Sequence, residues 1–470
     1  MRDLSLLEDP KDHSGIDEKL KGYIQGDDHV FVVLDDDPTG TQTVHDVNVY
    51  TDHKKETMKQ AFLNNKLFFL LTNSRALTPS QSKALHEDII NVIEEVSKET
   101  GKDYLYISRG DSTLRGHFPL ETEILSEGLK RHYGKADGVI LAPYFKEGGR
   151  FTIGDIHYVR YGNELIPCAE TEFAKDKSFG YSSSDLKEYI EEKTKGKIQK
   201  QDVLSISLED LRNEKIDVIV SQLMKAEEGR HIIVNAACDS DMRIFALALY
   251  QAIARGKVFV FRTAASFVKA VGGISDQPLL NKKDMIKEER NRSGLIIVGS
   301  HTEKTTRQLK ELLKIEGIEK EEFRCSKILE GEEAFKEEIL RCREVLDEKL
   351  REGKTIVLYT ERILISLKED DEDSALRRSV AISDGLCQIV GNLKITPAFI
   401  IAKGGITSSD IATKALRIQK AKVLGQIQPG VPVWQAEEGS RYPNIPYVIF
   451  PGNVGDDDTL KKAAETLSQK

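Results

Sequence analysis

The chain has 470 residues, of which 39% are apolar and 31% charged, and its formal net charge is −9. At about 150 residues per domain, this length predicts two or three domains of an ordinary globular protein. The acidic balance and the lack of basic runs argue against nucleic acid or an anionic membrane as a partner. The first ten residues lack the apolar stretch of a secretory signal, and no apolar run approaches the roughly 18 residues of a membrane span.

The cysteines and histidines indicate neither a disulfide framework nor a zinc site. The five cysteines are widely spaced and form no C-x-x-C pair, and the ten histidines form no H-x-x-x-H pair. We therefore expect buried, reduced thiols in a cytoplasmic protein.

Short apolar runs alternate with longer amphipathic stretches along most of the chain. Continuous apolar runs are typical of strands that are buried on both faces. The runs cover residues 30–34, 67–71, 104–107, 139–141, 232–234, 295–298, 356–359 and 398–402. Between two of them, residues 80–100 show the spacing of an amphipathic helix. The alternation predicts an α/β fold of mostly parallel sheets flanked by helices.

A polar, charged segment at residues 277–293 interrupts this pattern, and a new strand is predicted directly after it. The segment is either a boundary between domains or a surface helix within one domain, and we favour the boundary. The chain then has an N-terminal domain of residues 1–285 and a C-terminal domain of residues 286–470.

Segments rich in carboxylates, hydroxyls and arginines follow four predicted strands of the first half. They are residues 35–43, 72–75, 108–117 and 142–157. Ligands of open α/β sheets bind at the carboxyl ends of strands. Arginine binds a carboxylate through paired bonds, and Asp or Asn binds hydroxyls. Turns are often polar for conformational reasons alone, but four such segments together favour a site for a small polyhydroxylated anion.

Glycine and hydroxyl residues follow the predicted strands of the second half, at 299–302, 360–362 and 403–410. The Gly-Gly turn at 404–405 predicts a phosphate site, because a turn that leads into a helix presents backbone N–H groups and the positive end of the helix dipole. Thr407 and Asp410 resemble a capping box for a helix predicted over residues 411–416.

A second glycine-rich turn, residues 450–459, also precedes a predicted helix. Its acidic triplet, 456–458, could hold Mg²⁺ through water or could stabilise the helix N-terminus, and we favour the second role. The dinucleotide fingerprint, the P-loop and the G-x-S-x-G elbow are absent from the sequence. These residues alone predict a two-domain α/β protein with an anion site and a separate phosphate site.

Several motifs, in order along nearly the whole chain, extend this interpretation. They are DDDPTGTQ at 35–42, NSR at 73–75, DSTLRG at 111–116, GS at 299–300, GGIT at 404–407, QPGVP at 428–432 and GNVG at 452–455. Together they resemble the four-carbon acid sugar kinase family, which includes D-threonate, D-erythronate and 3-oxo-tetronate kinases. Lys403 departs from the pattern, since many relatives have a small or apolar residue before the Gly-Gly turn.

The resemblance implies an N-terminal domain that binds the sugar acid and a C-terminal domain that binds ATP with Mg²⁺. The residues implied at the sugar-acid site are Asp36, Arg75, Asp111, Ser112, Arg115, Gly149 and Arg150. Those implied at the nucleotide site are Ser300, Gly404, Gly405, Ile406, Thr407, Gly430, Gly452, Asn453 and Gly455. No metal ligand is assigned. The expected partner is a small sugar acid, and self-association into a homo-oligomer is compatible with the sequence.

Phosphoryl transfer to an alcohol needs a group that accepts the hydroxyl proton. Asp36 or Asp111 is the candidate base, and the alternative for either is that it only orients substrate hydroxyls. Arg115 and Arg150 are expected to bind the substrate carboxylate, whereas Arg109 is expected to make a surface ion pair.

The function that we predict is ATP-dependent phosphorylation of a hydroxyl of a four-carbon sugar acid. One alternative is a kinase for a branched or oxidised acid such as 3-oxo-isoapionate. Another is a non-catalytic sugar-acid-binding protein of the same fold. The single tryptophan, Trp434, is expected to pack as core or lid rather than to stack on adenine.

Overall fold

The structure is a computed structural model that describes residues 4–8, 11–286, 293–362, 372–452 and 454–468. The chain divides into two compact units. Unit 1 comprises Met1–Val44 and Asp52–Asp276, and unit 2 comprises His45–Thr51 and Gln277–Lys470. The predicted boundary between residues 285 and 286 stays a prediction. Leu280 and Met285, just before it, are buried in the core of unit 2.

The strands and helices of the described residues are numbered here in chain order. The strands are β1 (Val30–Asp35), β2 (Asn48–Tyr50), β3 (Leu67–Leu71), β4 (Tyr104–Arg109), β5 (Gly138–Ala142), β6 (Arg150–Ile153), β7 (Ile156–Tyr161), β8 (Glu164–Pro167), β9 (Leu204–Ile206), β10 (Arg230–Val234), β11 (Phe259–Thr263), β12 (Gly294–Val298), β13 (Glu319–Phe323), β14 (Ile356–Thr360), β15 (Phe399–Lys403), β16 (Lys420–Gln428), β17 (Val431–Ala436) and β18 (Pro446–Phe450). The helices are α1 (Ser14–Gly26), α2 (Lys55–Asn64), α3 (Pro79–Thr100), α4 (Leu120–Tyr133), α5 (Leu186–Lys193), α6 (Leu208–Arg212), α7 (Ile216–Met224), α8 (Asp239–Ala254), α9 (Ala265–Val271), α10 (Lys282–Met285), α11 (Glu303–Leu312), α12 (Glu332–Arg351), α13 (Glu372–Gly391), α14 (Gly405–Asp410) and α15 (Thr459–Ser468).

Unit 1 is built on a parallel sheet with the strand order β3-β1-β4-β11-β5-β10-β9. Every residue of β1, β4, β5 and β11 is buried, which explains why these strands are apolar runs without alternation. A small antiparallel sheet, β6-β7-β8, follows β5 in the chain. The parallel arrangement brings the polar segments after β1, β3, β4 and β5 to the same edge of the main sheet.

Helix α3 shows how the sequence determines a flanking element of unit 1. Thr78 caps its N-terminus through a capping box with Gln81, and Gly101 ends it in the left-handed conformation. Ile93 and Val96 are among the apolar residues of its buried face. The helix predicted over residues 80–100 is therefore confirmed and begins one residue earlier.

Unit 2 has a sheet with the order β13-β14-β12-β15-β18-β17-β16-β2. The first five strands are parallel, and the last three are antiparallel to their neighbours. The predicted α/β class with two domains and a largely parallel sheet is confirmed. Trp434 lies on β17 and is fully buried, so it packs in the core as expected. The five cysteines are buried and form no disulfide in the described part of the chain, also as expected.

Among the described residues, no helix combines the length and the apolar character that crossing a membrane would require.

Candidate functional site

The segments that follow β1, β3 and β4 meet at one edge of the sheet of unit 1. Arg75 links two of them, because its Nη1 lies 3.1 Å from Oδ1 of Asp111 and its Nη2 contacts the carboxylate of Asp37. Arg115 lies on the same loop as Asp111 and binds its carboxylate, with Nε 2.8 Å from Oδ2. The backbone N–H of Arg75 also donates to the carbonyl of Asp36 at 3.4 Å. The structure therefore brings together residues that the sequence placed on three separate loops.

The loop from Asp111 to Gly116 is braced by buried side chains. Four consecutive carbonyl oxygens accept hydrogen bonds from different parts of unit 1. The pairs are His157 Nε2 to Ser112 O (2.8 Å), Tyr181 OH to Thr113 O (2.8 Å), Tyr189 OH to Leu114 O (2.8 Å) and Arg262 Nη2 to Arg115 O (2.9 Å). Burial lowers the pKa of His157 to about 4, so its neutral ring donates through Nε2 near pH 7. The loop thus holds Asp111 and Arg115 in a fixed geometry.

Arg262 is a residue of this site that the sequence-based reasoning missed. It lies on β11, where its Nη1 donates to Ser108 Oγ at 3.1 Å and lies 3.4 Å from Oε2 of the buried Glu121. A Cβ on Gly110 would lie 1.9 Å from Nη1, so this glycine leaves space for the guanidinium. The apolar run 258–261 directly before Arg262 was the available signal, because it has the same pattern as the strands that were predicted.

Two buried carboxylates at the end of β1 lack hydrogen bonds of normal geometry within the described residues. They belong to Asp35 and Asp36, which are 0% and 3% exposed. Arg109 Nη1 lies 3.5 Å from Asp35 Oδ1 and 3.7 Å from Asp36 Oδ1, beyond hydrogen-bond distance. The expectation that Arg109 makes a surface ion pair is wrong, because β4 is buried along its whole length and this last residue of the strand is buried too.

The two carboxylates have different surroundings. Asp35 is packed against the turn that follows it, since a Cβ on Gly40 would lie 1.9 Å from Oδ1 of Asp35. Burial raises the pKa of Asp35 to about 8, although the charge of Arg109 opposes this rise. Asp36 instead lies beside the braced loop, since a Cβ on Gly116 would lie 3.5 Å from its Oδ2.

The carboxylate of Asp111, in contrast, is ion-paired with Arg115 and Arg75. Burial alone would raise its pKa, but the charges of Arg115 and Arg75 outweigh burial, together with hydrogen bonds from Arg115 and Thr113. The pKa of Asp111 is therefore well below its ordinary value. This carboxylate is ionised and fixed between two guanidinium groups.

Arg115 and Arg150 share one aromatic partner. Their Cζ atoms lie 5.1 Å and 5.5 Å from the centroid of the Phe173 ring, within the range of cation–π contact. Arg115 is also paired with Asp111 and lies 3.7 Å from Asp176. Within the described part of the chain, no ion pair is formed by Arg150. Of the two guanidinium groups, that of Arg150 therefore has fewer charged partners among the described residues.

Gly149, which precedes Arg150, has φ +73° and ends the turn that leads into β6. Its N–H donates to the carbonyl of Lys146 at 2.9 Å, and its own carbonyl accepts from the N–H of Arg160 at 2.8 Å. The backbone of Gly149 thus orients the entry into β6, and its predicted place in the sugar-acid site stays a prediction.

The glycine-rich turn after β15 is closely packed. Gly404 has φ +119°, and a Cβ there would lie 3.1 Å from Ser300 Cβ, so the turn after β12 and the turn after β15 touch. Thr407 also faces the turn after β12, since a Cβ on Gly299 would lie 2.3 Å from Thr407 Oγ1. The large side chain of Ile406 is 68% exposed at this turn.

The predicted capping box at Thr407 and Asp410 is wrong. Helix α14 begins at Gly405, with Gly404 in the N-cap position, so Thr407 lies inside the helix. The backbone becomes helical earlier than expected because Gly404, at φ +119°, leads the chain from β15 directly into the helix. A π-helical turn at Ile411–Ala415 follows.

The remaining predicted nucleotide residues lie on two further turns of unit 2. Gly430 (φ +73°) is in the hairpin between β16 and β17. Since β17 runs antiparallel to β18, this hairpin reaches the same sheet edge as Gly452, which follows β18. Gly455 (φ +79°) packs against Thr459 at the start of α15. Asn453 lies outside the described residues.

The acidic triplet at 456–458 borders a cavity of about 600 Å³ that Lys304 also lines. Asp457 lies 3.0 Å from Arg307 Nε, and Asp458 lies 2.8 Å from Lys462 Nζ. Asp457 and Asp458, just before α15, thus each form an ion pair with a basic side chain. Across the described residues, no group of three or more His, Cys, Asp or Glu side chains is arranged to hold a metal ion.

Two family matches cover most of the chain. Residues 31–271 match the sugar-binding N-terminal domain, and residues 295–460 match the nucleotide-binding C-terminal domain. No curated protein sequence is significantly similar to the chain.

Solved structures share the fold at low sequence identity. A protein of Salmonella typhimurium LT2, provisionally described as a tRNA synthase, is 15% identical with a TM-score of 0.64, over 92% of this chain and 98% of that chain. The Haemophilus influenzae protein HI1011 is 17% identical with a TM-score of 0.59, over 93% of this chain and 100% of that chain. At such identities the likeness extends to the fold alone.

The raised pKa of Asp35 predicts how stability depends on pH. The unfolded chain ionises this carboxyl above about pH 4, whereas the folded protein keeps it protonated up to about pH 8. The stability that the neutral form contributes is complete below pH 4 and is lost as the pH rises toward 8. Asp35→Asn cannot ionise, so its free energy of unfolding should gain on that of wild type by up to about 1.4 kcal/mol per pH unit in this window.

Urea unfolding at several pH values measures this difference. Asp28→Asn, at an exposed position, is the matched control and should show no such trend. A difference between Asp35→Asn and wild type that stays constant with pH would contradict the assignment.

Proposed function

Because the chain belongs to the four-carbon acid sugar kinase family, we propose that it transfers the γ-phosphoryl group of ATP to a hydroxyl of a small sugar acid. D-threonate, D-erythronate and 3-oxo-tetronate represent the substrate class, and an oxidised branched acid such as 3-oxo-isoapionate is the alternative within the same chemistry. The main support for this proposal is the environment of Asp36. The buried carboxylate of Asp36 makes no hydrogen bond of normal geometry within the described residues, and it lies beside a braced loop that carries arginine.

The reaction requires that a hydroxyl proton be removed as its oxygen attacks phosphorus. The new bond joins the substrate oxygen to the γ-phosphorus, the bond to the β-phosphate oxygen breaks, and ADP leaves. Asp36 is the better proton acceptor of the two candidates, because its carboxylate makes no hydrogen bond among the described residues and forms an ion pair there only with the distant Arg109, at 3.7 Å, whereas Asp111 is fixed between Arg115 and Arg75. We assign Asp111 to positioning: it orients these two arginines toward the substrate.

Arg150 is assigned to the substrate carboxylate. A carboxylate binds best to a guanidinium whose donors are not already used, and Arg150 forms no ion pair among the described residues. The guanidinium groups of Arg150 and Arg115 both lie within cation–π range of the Phe173 ring, and the positive charge of Arg115 acts on Arg150. An acidic substrate would relieve the repulsion between them. Ser112 and Gly149 support this site through their backbones.

In unit 2 we assign the nucleotide to the turns that hold Ser300, Gly404 to Thr407, Gly430, Gly452 and Gly455. Positive φ values and the close contact between Gly404 and Ser300 support this assignment, because a backbone without Cβ atoms can approach phosphate oxygens closely. Mg²⁺ fits this arrangement as a companion of the nucleotide, with phosphate and water as its main ligands, and there it would neutralise phosphate charge.

An ADP-release assay tests the proposal. The purified protein is given ATP and Mg²⁺ with D-threonate, D-erythronate, 3-oxo-tetronate or 3-oxo-isoapionate, and with threitol and erythritol as matched polyols that lack the carboxylate. We expect ADP release with at least one acid and with neither polyol. Absence of turnover with every acid would contradict the proposal. Calorimetric binding of an acid without turnover would identify a non-catalytic binding protein.

Substitution of the two aspartates should separate their roles. Asp36→Asn can still hydrogen-bond but cannot accept a proton, so kcat should fall by about 10²–10⁴-fold while the KM for the acid changes little. Asp111→Asn should mainly raise KM, because Arg115 and Arg75 lose their anchor. Steady-state kinetics distinguish these outcomes, and a wild-type kcat in Asp36→Asn would show that the base lies elsewhere.

Substitution of Arg150 should affect the affinity for the acid. A charged hydrogen-bond pair contributes about 1.5–3 kcal/mol, so Arg150→Met should raise KM by roughly 10- to 100-fold. Arg150→Lys should recover part of this loss, since it keeps the charge without the planar fork. Arg255→Met removes an exposed arginine elsewhere in unit 1 and is the control. Equal KM values for Arg150→Met and this control would refute the assignment.

A further inference from the structure

Lys403 is a buried lysine that lies between two glycine-rich turns of unit 2. It is the last residue of β15 and is 0% exposed. Its Nζ donates hydrogen bonds to the carbonyl oxygens of Pro451 at 2.5 Å and Gly452 at 3.0 Å. The same atom lies 4.5 Å from the centroid of the Phe450 ring. One side chain therefore connects the turn after β15 to the turn after β18.

Within the described residues, the ammonium of Lys403 forms no ion pair with a carboxylate. Its strand neighbours in the sheet are Val298 on β12 and Phe450 on β18, which are both apolar. Lys304 carries a charge of the same sign, which repels the ammonium of Lys403. A buried cation without a counterion is costly, so an anion that arrives from outside the chain would stabilise it.

The two hydrogen bonds also determine which backbone groups the second turn can present. In a planar trans peptide, the C=O of one residue and the N–H of the next point in opposite directions. The carbonyl of Pro451 points to Lys403, so the N–H of Gly452 points away from it. The carbonyl of Gly452 is likewise held by the ammonium and cannot turn toward an incoming anion. Lys403 therefore orients this turn so that carbonyl oxygens face inward and an N–H group faces outward, as an anion site requires.

We propose that Lys403 is the positioning residue of the nucleotide site: it turns two carbonyl oxygens of the 451–452 turn inward and supplies a buried positive charge beneath the nucleotide phosphates. This inference rests on the proposed function of unit 2 as the nucleotide-binding part. It adds the residue that links the two glycine-rich turns and makes their affinity for phosphate dependent on one proton.

The dependence on pH has a definite sign. Burial, with a smaller effect of Lys304, lowers the pKa of Lys403 to about 7 in the free protein. A polyphosphate favours the charged form, so its binding should raise this pKa and take up a proton near and above neutral pH. Nucleotide affinity should therefore be highest below pH 7 and should decline as the pH rises above it.

The test compares ATP binding by calorimetry in wild type, Lys403→Met and Lys310→Met, each as the full chain. Lys310→Met replaces an exposed lysine on α11 and is the matched control. We expect Lys403→Met to bind ATP at least about tenfold more weakly near pH 6.5. Its disadvantage should shrink as the pH rises toward about 9, because wild type then loses its charge. The affinity for the sugar acid should stay the same in all three proteins.

Proton uptake gives a second measurement on wild type alone, which holds even if Lys403→Met fails to fold. Titrations at about pH 8 in two buffers of different ionisation enthalpy should reveal net uptake of protons on ATP binding. Equal ATP affinities of wild type and Lys403→Met, an affinity ratio that is constant with pH, or no proton uptake would each overturn the inference. Failure of wild type to bind ATP at all would instead refute the proposed function.

Discussion

The candidate site of unit 1 depends on the bracing of one loop by four buried donors. The carbonyls of residues 112 to 115 are bonded by a histidine, two tyrosines and an arginine that come from separate parts of the chain. Each bond alone contributes about 1 kcal/mol, but loss of any one would leave a buried polar group unsatisfied at a higher cost. The loop therefore has one well-determined conformation. The side chains of Asp111 and Arg115, which belong to this loop, are therefore held in place with it.

Charge pairing around this loop leaves two groups, Asp36 and Arg150, with fewer partners than their neighbours among the described residues. Glu121 is satisfied by Arg262 and by serine hydroxyls, and Asp111 is satisfied by Arg115 and Arg75. Asp36 and Arg150 then remain without comparable partners among the described residues: one carboxylate and one guanidinium at the same sheet edge. A substrate with a hydroxyl and a carboxylate matches this pair. In unit 2, the buried ammonium of Lys403 likewise has no carboxylate partner within the described residues and donates to two backbone carbonyls.

The sequence predicted the parts of this architecture that depend on local pattern. The apolar runs located strands β1, β3, β4, β5, β10, β12, β14 and β15 but not the equally buried β11 and β18, and the motifs located the loops at the carboxyl ends of β1, β3 and β4. Arg262 was missed because its importance arises from the pairing of β11 with β4, a contact between distant segments. Strand β13 (EKEEF) was missed because it lies at the sheet edge, where alternation of charged residues gives little apolar signal. The burial of Arg109 and the early start of α14 also depend on packing that composition does not encode.

Transfer of a phosphoryl group to a carbon-bound hydroxyl of a sugar acid can be followed by ³¹P NMR of a completed reaction. ATP, Mg²⁺ and the preferred acid should yield ADP and a new phosphate monoester resonance whose proton coupling identifies the phosphorylated carbon. Appearance of inorganic phosphate alone would mean that water is the acceptor. That result would contradict an account in which Asp36 removes the proton of a substrate hydroxyl.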